Sequence, residues 1–313
     1  MPSDRRRAPG PDPEPRSEPP AGPHPDSHDW RPADPRPWPL EDAAATGSPP
    51  SLASADTGEV PRPGMRAASG PVLAGAVARR LRVPLSPPQA VQATSAVVWM
   101  PEDDPGGPVV VLATGAGTDL THPVLRTIAR GLARRGLPTL TFNFPYTEAG
   151  RKRPDPPARL QAAYRDVLAV LPDQIGAGRP VFAGGRSMGG RMASHLAAAG
   201  VPLAGLVLLG YPLHPAGKPE RLRTDHWPHV LVPTLFVQGD RDTLSDLALL
   251  ARERDTRLAG PSTLHVVSGA DHAYGARKRD GRTQGEVLEE VVRVVADWIQ
   301  RTAVPGAGSP AAR

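Results

Sequence analysis

The feature of this sequence that most constrains its fold is a regular alternation of short, β-branched apolar runs with longer segments of helical periodicity. The first strong run, at residues 109–112, reads Val-Val-Val-Leu, and continuous apolar runs of this kind are typical of strands buried on both faces. Their alternation with amphipathic segments indicates parallel βαβ units. We therefore predict an α/β fold with a mostly parallel sheet of about eight strands, helices on both faces and no separate lid domain.

Predicted strands and helices follow one another from residue 81 to residue 299. The strands cover residues 81–85, 96–100, 109–112, 139–144, 180–184, 206–209, 234–237 and 264–267. The helices cover residues 123–136, 160–171, 188–199 and 283–299. We expect the first two strands to pair antiparallel at the edge of the sheet, and the last helix to begin at a capping box of Thr283 and Glu286.

Proline divides the chain into a tail and a folded body. Of its 41 prolines, 17 lie in the first 70 residues, among charged and small side chains with scarcely any β-branched or aromatic ones. Such a segment cannot bury enough apolar surface to offset its ordering entropy. We predict a disordered Pro-rich tail at residues 1–71, one α/β domain at residues 72–303 and a flexible C-terminus at residues 304–313.

Composition excludes several classes of protein. The chain has no cysteine, which removes disulfide scaffolds, zinc ribbons, iron–sulfur sites and cysteine nucleophiles. Its formal net charge is +5, but no block of five basic residues occurs, so a nucleic-acid binder is a minor alternative. No apolar run approaches 18 residues, and Arg5-Arg6-Arg7 is not followed by an apolar segment. We expect a soluble, cytoplasmic protein that binds neither nucleic acid nor a membrane.

A G-x-S-x-G pentad marks the candidate nucleophile. It reads Gly185-Arg186-Ser187-Met188-Gly189 and stands between a predicted strand and a helix of small residues. A serine that attacks a carbonyl must project from a turn too tight for Cβ atoms at the flanking positions, which explains the two glycines. A glycine-rich turn with an incidental serine is the alternative, and the position in a parallel sheet favours the nucleophile Ser187.

A serine nucleophile needs a base and an acid that orients the base. In hydrolases of this architecture they follow in the order serine, acid, histidine, each beyond the C-terminal end of a strand. His272 comes directly after the last predicted strand, whereas His195 lies inside a helix and His265 lies in mid-strand. Asp242 fits the spacing of the acid, and Asp240 is expected to be a turn or capping residue. We therefore predict Ser187, Asp242 and His272 as the catalytic residues.

The oxyanion of an acyl-transfer intermediate needs hydrogen-bond donors. One is the backbone N–H after the nucleophile, which is that of Met188. The second comes from the loop Thr114-Gly115-Ala116-Gly117, whose small residues let the backbone approach a substrate. We predict Ala116 and Met188 as the oxyanion hole, with Gly115 as the alternative to Ala116. An ordinary strand-to-helix turn is the other interpretation of this loop.

These elements, in this order, resemble the α/β-hydrolase superfamily, which contains the dienelactone hydrolases. A narrower resemblance covers about 200 residues and concerns the family named for testis-expressed protein thirty and the third subunit of the non-specific-lethal complex. Its motifs are Thr114-Gly115-Ala116-Gly117, Asn143-Phe144-Pro145-Tyr146, Gly184-Gly185-Arg186-Ser187-Met188-Gly189, Gly210-Tyr211-Pro212-Leu213-His214-Pro215, Val237-Gln238-Gly239 and Ala270-Asp271-His272. Thr114 departs from the family because a histidine often precedes the oxyanion-hole glycine, and the Pro-rich tail lies outside the match.

The resemblance and the site residues together predict a serine hydrolase. It would cleave a small-molecule carboxylic ester, lactone or thioester through an acyl-enzyme, without a metal or organic cofactor. Tyr146 and His214 are possible substrate-binding residues. The alternative is a non-catalytic binding or scaffold module on the same fold, since fold and motif do not guarantee turnover. The sequence points to no particular protein partner.

Overall fold

A computed structural model describes residues 75–277, 279 and 281–303 of the protein. These ranges contain nearly all of the predicted α/β domain. The predicted tail at residues 1–71 and the predicted flexible C-terminus at residues 304–313 lie outside the described residues.

Eight strands form one open sheet in the order β1-β2-β4-β3-β5-β6-β7-β8. They are β1 (Ala76–Pro84), β2 (Ala93–Pro101), β3 (Val109–Ala113), β4 (Thr139–Phe142), β5 (Val181–Arg186), β6 (Gly205–Leu209), β7 (Thr234–Gly239) and β8 (Ser262–Val267). Strand β2 pairs antiparallel with β1 and with β4, and the other neighbours pair parallel. The predicted mostly parallel sheet and its antiparallel edge pair are confirmed.

The described chain has seven α-helices, of which six lie between strands and the last follows β8. They are α1 (Pro123–Ala133), α2 (Pro145–Glu148), α3 (Pro157–Ala169), α4 (Leu171–Ile175), α5 (Met188–Ala198), α6 (Leu247–Arg257) and α7 (Gln284–Ala303), with a 3₁₀ turn at Trp227–His229. None of them is long and apolar enough to cross a bilayer.

The helices cover both faces of the sheet, as predicted. Strand β3 explains how, since successive side chains of a strand point to opposite faces. Val109, Val111 and Ala113 pack with the buried side chains of α3 and α5. Val110 and Leu112 pack with those of α1 and α7. The continuous apolar run therefore serves two cores, one on each face.

The ends of the elements follow local chemistry. The predicted strand at residues 139–144 stops at Phe142, and Pro145 opens the short helix α2 where the sequence indicated only a loop. Proline lacks an N–H for a strand ladder but suits the first position of a helix. At α7 the capping box forms as predicted, because Thr283 N–H donates to Glu286 Oε2 at 2.7 Å and Glu286 N–H donates to Thr283 Oγ1 at 3.2 Å.

Helix α6 is an element that the sequence pattern did not reveal. Leu250 and Glu253 are its only buried residues, so no apolar stripe marks the segment. The local signal is Asp246, whose carboxylate accepts a hydrogen bond from Leu249 N–H at 2.8 Å and so caps the helix.

Candidate active site

Ser187 occupies a strained turn between β5 and α5. Its backbone has φ +50° and ψ −112°, and a positive φ is uncommon for a residue other than glycine. Its N–H donates to the carbonyl of Leu209 at the end of β6, at 2.8 Å. The turn therefore presents the serine at the edge where the parallel strands end, with 9% of the residue exposed.

Glycines make this turn possible because it lies against the end of β3. A Cβ atom at Gly185, whose φ is +150°, would lie 2.4 Å from the carbonyl oxygen of Ala113. A Cβ atom at Gly189 would lie at the same distance from that oxygen, and one at Gly190 would lie 2.8 Å from the carbonyl oxygen of Gly185. A side chain at Gly185 or Gly189 would push the nucleophile turn away from β3, and one at Gly190 would collide with the backbone of the turn itself.

Asp242 and His272 meet beyond the ends of β7 and β8. His272 Nδ1 lies 2.7 Å from Asp242 Oδ2. The carboxylate also accepts hydrogen bonds from Gln238 Nε2 at 2.5 Å and from Leu244 N–H at 2.8 Å. Because a carboxylate only accepts, the proton of the imidazole is assigned to Nδ1, which leaves Nε2 as the basic nitrogen.

The other candidate acids and bases lie elsewhere. Asp240 accepts hydrogen bonds from Gly269 N–H at 2.9 Å and from Ser268 Oγ at 3.3 Å, so it braces the turn after β8. His265 in β8 lies 2.7 Å from Glu290 of α7. Of the two neighbouring aspartates, the structure places Asp242 against His272.

The two predicted oxyanion donors both keep their N–H groups available. Within the described part of the chain, neither Ala116 N–H nor Met188 N–H has a hydrogen-bond acceptor, and the same is true of Gly115 N–H. Gly117 N–H, in contrast, donates to the hydroxyl of Tyr146 at 3.1 Å. Ala116 and Gly115 therefore both remain candidates for the second donor.

The two predicted substrate-binding residues are both buried. Tyr146 is 0% exposed and lies beside the loop that follows β3. His214 is 5% exposed, its Nδ1 lies 2.9 Å from the carbonyl oxygen of Pro215, and its N–H donates to the carbonyl of Leu244 at 3.2 Å. Contact of either side chain with a substrate stays a prediction.

Arg186 places a cation next to the nucleophile, which the sequence pattern did not reveal. Its Nη2 lies 3.5 Å from the carbonyl oxygen of His272, and a Cβ atom at Gly115 would lie 3.0 Å from its Nη1. Burial lowers the pKa of the guanidinium from its ordinary value, while Tyr274 and the carboxylates of Asp242 and Asp271 oppose that shift. The side chain thus bridges the loop after β3 and the loop that carries His272.

His122, the residue before α1, is affected by the same cation. Burial and the charge of Arg186 lower the pKa of His122 to about 4, against a smaller opposing effect of Asp119. The imidazole is therefore neutral at pH 7.

Within the described residues, no three His, Asp or Glu side chains converge as a metal site.

Gln238 is the other site residue that sequence reasoning missed. It is 0% exposed, and its amide donates to the same carboxylate oxygen of Asp242 that His272 contacts. The available signal was its place at the end of β7, in the motif Val237-Gln238-Gly239. Buried side-chain amides are nearly always hydrogen-bonded, so an amide in a buried strand next to the candidate acid is expected to bond to that acid.

The open, mostly parallel sheet, the strained serine after β5 and the Asp–His pair after β7 and β8 define the class of α/β-hydrolase folds. A family model described as alpha/beta hydrolase domain matches residues 106–300, more than half of the 313-residue chain. The chain belongs to this family.

Solved structures share the fold at low sequence identity. A dienelactone hydrolase from Anabaena variabilis matches with 21% identity and a TM-score of 0.55, over 72% of this chain and 98% of its own. Est1E from Butyrivibrio proteoclasticus matches with 15% identity and a TM-score of 0.56, over 73% and 99%. An alpha-beta serine hydrolase homologue from Coxiella burnetii matches with 19% identity and a TM-score of 0.54, over 70% and 96%. These similarities concern the fold alone.

Proposed function

We propose that this protein is a serine hydrolase that cleaves a carboxylic ester, lactone or thioester of a small molecule. The observation that carries the proposal is the Asp242–His272 hydrogen bond, which lies beyond the ends of β7 and β8. The strained turn of Ser187 follows β5 at the same edge of the parallel sheet. A nucleophile, a base with a fixed tautomer and free N–H donors are the parts that acyl transfer needs.

The proposed reaction has two halves. His272 Nε2 takes the proton of Ser187 as Oγ attacks the acyl carbon, and the N–H groups of Ala116 and Met188 donate to the oxyanion. When the intermediate collapses, the carbon–oxygen or carbon–sulfur bond breaks and His272 gives its proton to the leaving alcohol or thiol. A water molecule then loses its proton to His272 and attacks the acyl-enzyme, which releases the carboxylic acid and returns the proton to Ser187.

We also propose the narrower kinship with the family of testis-expressed protein thirty and the third subunit of the non-specific-lethal complex. The motifs Asn143-Phe144-Pro145-Tyr146 and Val237-Gln238-Gly239 support it, because their side chains hold the loop after β3 and the carboxylate of Asp242. Chimaeras that exchange the 143–146 segment with a member of that family should retain hydrolysis, whereas loss of folding on exchange would count against the kinship.

The test of function is labelling with a fluorophosphonate probe, together with hydrolysis of a panel of p-nitrophenyl esters of increasing acyl length. We expect the wild type to be labelled and active, and Ser187→Ala to lose labelling and at least about 10³-fold in kcat/KM. Ser268→Ala is the matched control, because Ser268 is an exposed serine whose hydroxyl donates to Asp240, and it should keep both properties. Absence of labelling in the wild type, with no turnover above that of Ser187→Ala, would instead support the non-catalytic module.

A further inference from the structure

Two backbone N–H groups of the loop after β3 are held by side chains of a single segment. Gly117 N–H donates to the hydroxyl of Tyr146 at 3.1 Å. Leu120 N–H donates to Oδ1 of Asn143 at 2.8 Å. Both acceptors belong to the motif Asn143-Phe144-Pro145-Tyr146, so this motif holds the loop that carries the candidate oxyanion donor Ala116.

The segment that provides these acceptors is itself fixed by the partly buried carboxylate of Glu148. Asn143 Nδ2 donates to Glu148 Oε1 at 2.8 Å, which orients the amide so that its oxygen faces Leu120. Glu148 also accepts hydrogen bonds from Ser95 N–H at 3.1 Å and from Arg82 Nη1 at 2.8 Å. Burial opposes the charge, but the bonds from Asn143, Arg82 and Ser95 keep the pKa of Glu148 below its ordinary value.

The burial of Tyr146 fixes both the surroundings and the protonation state of its hydroxyl. The residue is 0% exposed, so its hydroxyl meets the loop rather than solvent. Burial raises the pKa of the phenol above its ordinary value, against the hydrogen bond from Gly117 N–H. The hydroxyl is thus neutral and accepts from Gly117 without placing a negative charge beside an oxyanion site.

The two bonded N–H groups lie on one side of Ala116 in the chain and leave its own N–H without an acceptor among the described residues. Donors for an oxyanion must be held in place before the reaction, because reorientation during the reaction costs free energy. We infer that Tyr146 and Asn143 are positioning residues that hold the loop after β3 so that a backbone N–H faces the oxyanion. This inference rests on the proposed hydrolase function.

The test compares Tyr146→Phe with the wild type in kcat and KM for p-nitrophenyl acetate, per active serine titrated with the fluorophosphonate. A second measurement is the affinity for a trifluoromethyl ketone, which forms a tetrahedral oxyanion with the serine. We expect kcat to fall about 10- to 100-fold, KM to change by less than about threefold and the ketone affinity to fall with kcat. Deuterium exchange of residues 114–122 should become faster in the variant.

Tyr211→Phe is the matched control. Tyr211 is equally buried, and its hydroxyl donates to the backbone carbonyl of Arg223 at 2.7 Å. The substitution should lower stability without lowering kcat per active serine. Asn143→Ala is a second variant should Tyr146→Phe fail to fold, and we expect it to lower kcat and ketone affinity in the same way.

The outcomes separate the inference from the proposed function. If Ser187→Ala abolishes activity but Tyr146→Phe and Asn143→Ala keep the wild-type kcat per active serine, the positioning role is wrong and the hydrolase assignment stands. Equal losses of kcat in Tyr146→Phe and Tyr211→Phe would show a structural role only. If the wild type is neither labelled nor active, both the proposed function and the inference fail.

Discussion

His272 Nδ1 and Asp242 Oδ2 lie 2.7 Å apart, with the aspartate side chain fully buried and 22% of the histidine side chain exposed. The imidazole is therefore held at Nδ1 by a buried acid, which leaves Nε2 as its basic nitrogen. Since Gln238 and Leu244 donate to the same carboxylate, the acid is oriented before any ligand arrives. Such preorganisation is typical of a catalytic acid–base pair.

Replacing Asp242 tests which aspartate orients the base. In Asp242→Asn the amide donates where the carboxylate accepted, which favours the wrong tautomer of His272. We expect kcat/KM for p-nitrophenyl esters to fall about 10³- to 10⁴-fold. Asp240→Asn, the control two residues away, should stay within about threefold, because Asp240 bonds to Gly269 and Ser268. The reverse ranking of the two variants would make Asp240 the acid.

Gly189→Ala tests the close packing of the nucleophile turn against β3. The new Cβ atom would lie 2.4 Å from the carbonyl oxygen of Ala113, and the backbone of α5 and of β3 fixes the positions of both atoms. We expect a loss of about 1–3 kcal/mol in the free energy of unfolding, measured with guanidinium chloride, together with reduced labelling of Ser187. At Gly107 nothing lies within 4 Å of a Cβ atom, so Gly107→Ala should change stability by less than about 0.5 kcal/mol. Equal stabilities of the two variants would contradict the packing argument.

A half-buried pair of histidines, His195 and His226, predicts that the protein loses stability in acid. The rings of His195 and His226 stack at 3.7 Å between centroids, and His226 Nε2 lies 2.7 Å from Ser194 Oγ. Burial, with the charges of His195 and Arg191, lowers the pKa of His226 to about 3 from an ordinary value of 6.5. At a pH between these two pKa values, His226 binds a proton in the unfolded chain but not in the folded chain. The free energy of unfolding therefore falls as the pH is lowered below about 6.5.

His226→Gln should reduce this acid sensitivity. We expect the loss in free energy of unfolding between pH 7 and pH 5 to be smaller than in the wild type by about 1–2 kcal/mol. Glutamine keeps an amide donor for Ser194. His229→Gln is the control, because His229 is exposed on the adjacent 3₁₀ turn, and it should keep the wild-type loss. Chemical denaturation at both pH values measures the difference, and an unchanged loss in His226→Gln would exclude His226 as its source.

The hydrogen bonds of Tyr164 predict that removing its hydroxyl lowers the stability of the sheet at β5, the strand that precedes Ser187. Its hydroxyl lies 2.9 Å from the carbonyl oxygen of Val111, 2.8 Å from that of Gly184 and 3.0 Å from Gly184 N, so it joins β3 to β5. Tyr164→Phe leaves these buried groups without that partner and should lower the free energy of unfolding by about 2 kcal/mol. Tyr274→Phe loses one bond, to the carbonyl of Val237, and should cost about 1 kcal/mol. A larger cost at Tyr274 in urea titrations would refute this ranking.

Local patterns predicted most of the elements because they reflect burial and backbone conformation over a few residues. The run at residues 109–112 indicated a strand, and both cores use it. The capping box of Thr283 and Glu286 marked the start of α7. The sequence pattern did not predict helix α6. Only Leu250 and Glu253 of its residues are buried, and a helix without an apolar stripe has no periodic signal.

The order of the amino acids was sufficient for the α/β class and for the strand-to-helix turn of Ser187, because these depend on periodic burial and on glycines where a side chain would collide with backbone. It also selected His272 by its place after the last strand. Tertiary contacts were needed to establish that Asp242 rather than Asp240 meets His272 and that Arg186 lies against the carbonyl of His272. These pairs are 30 and 86 residues apart, so the order and register of the strands bring their atoms together.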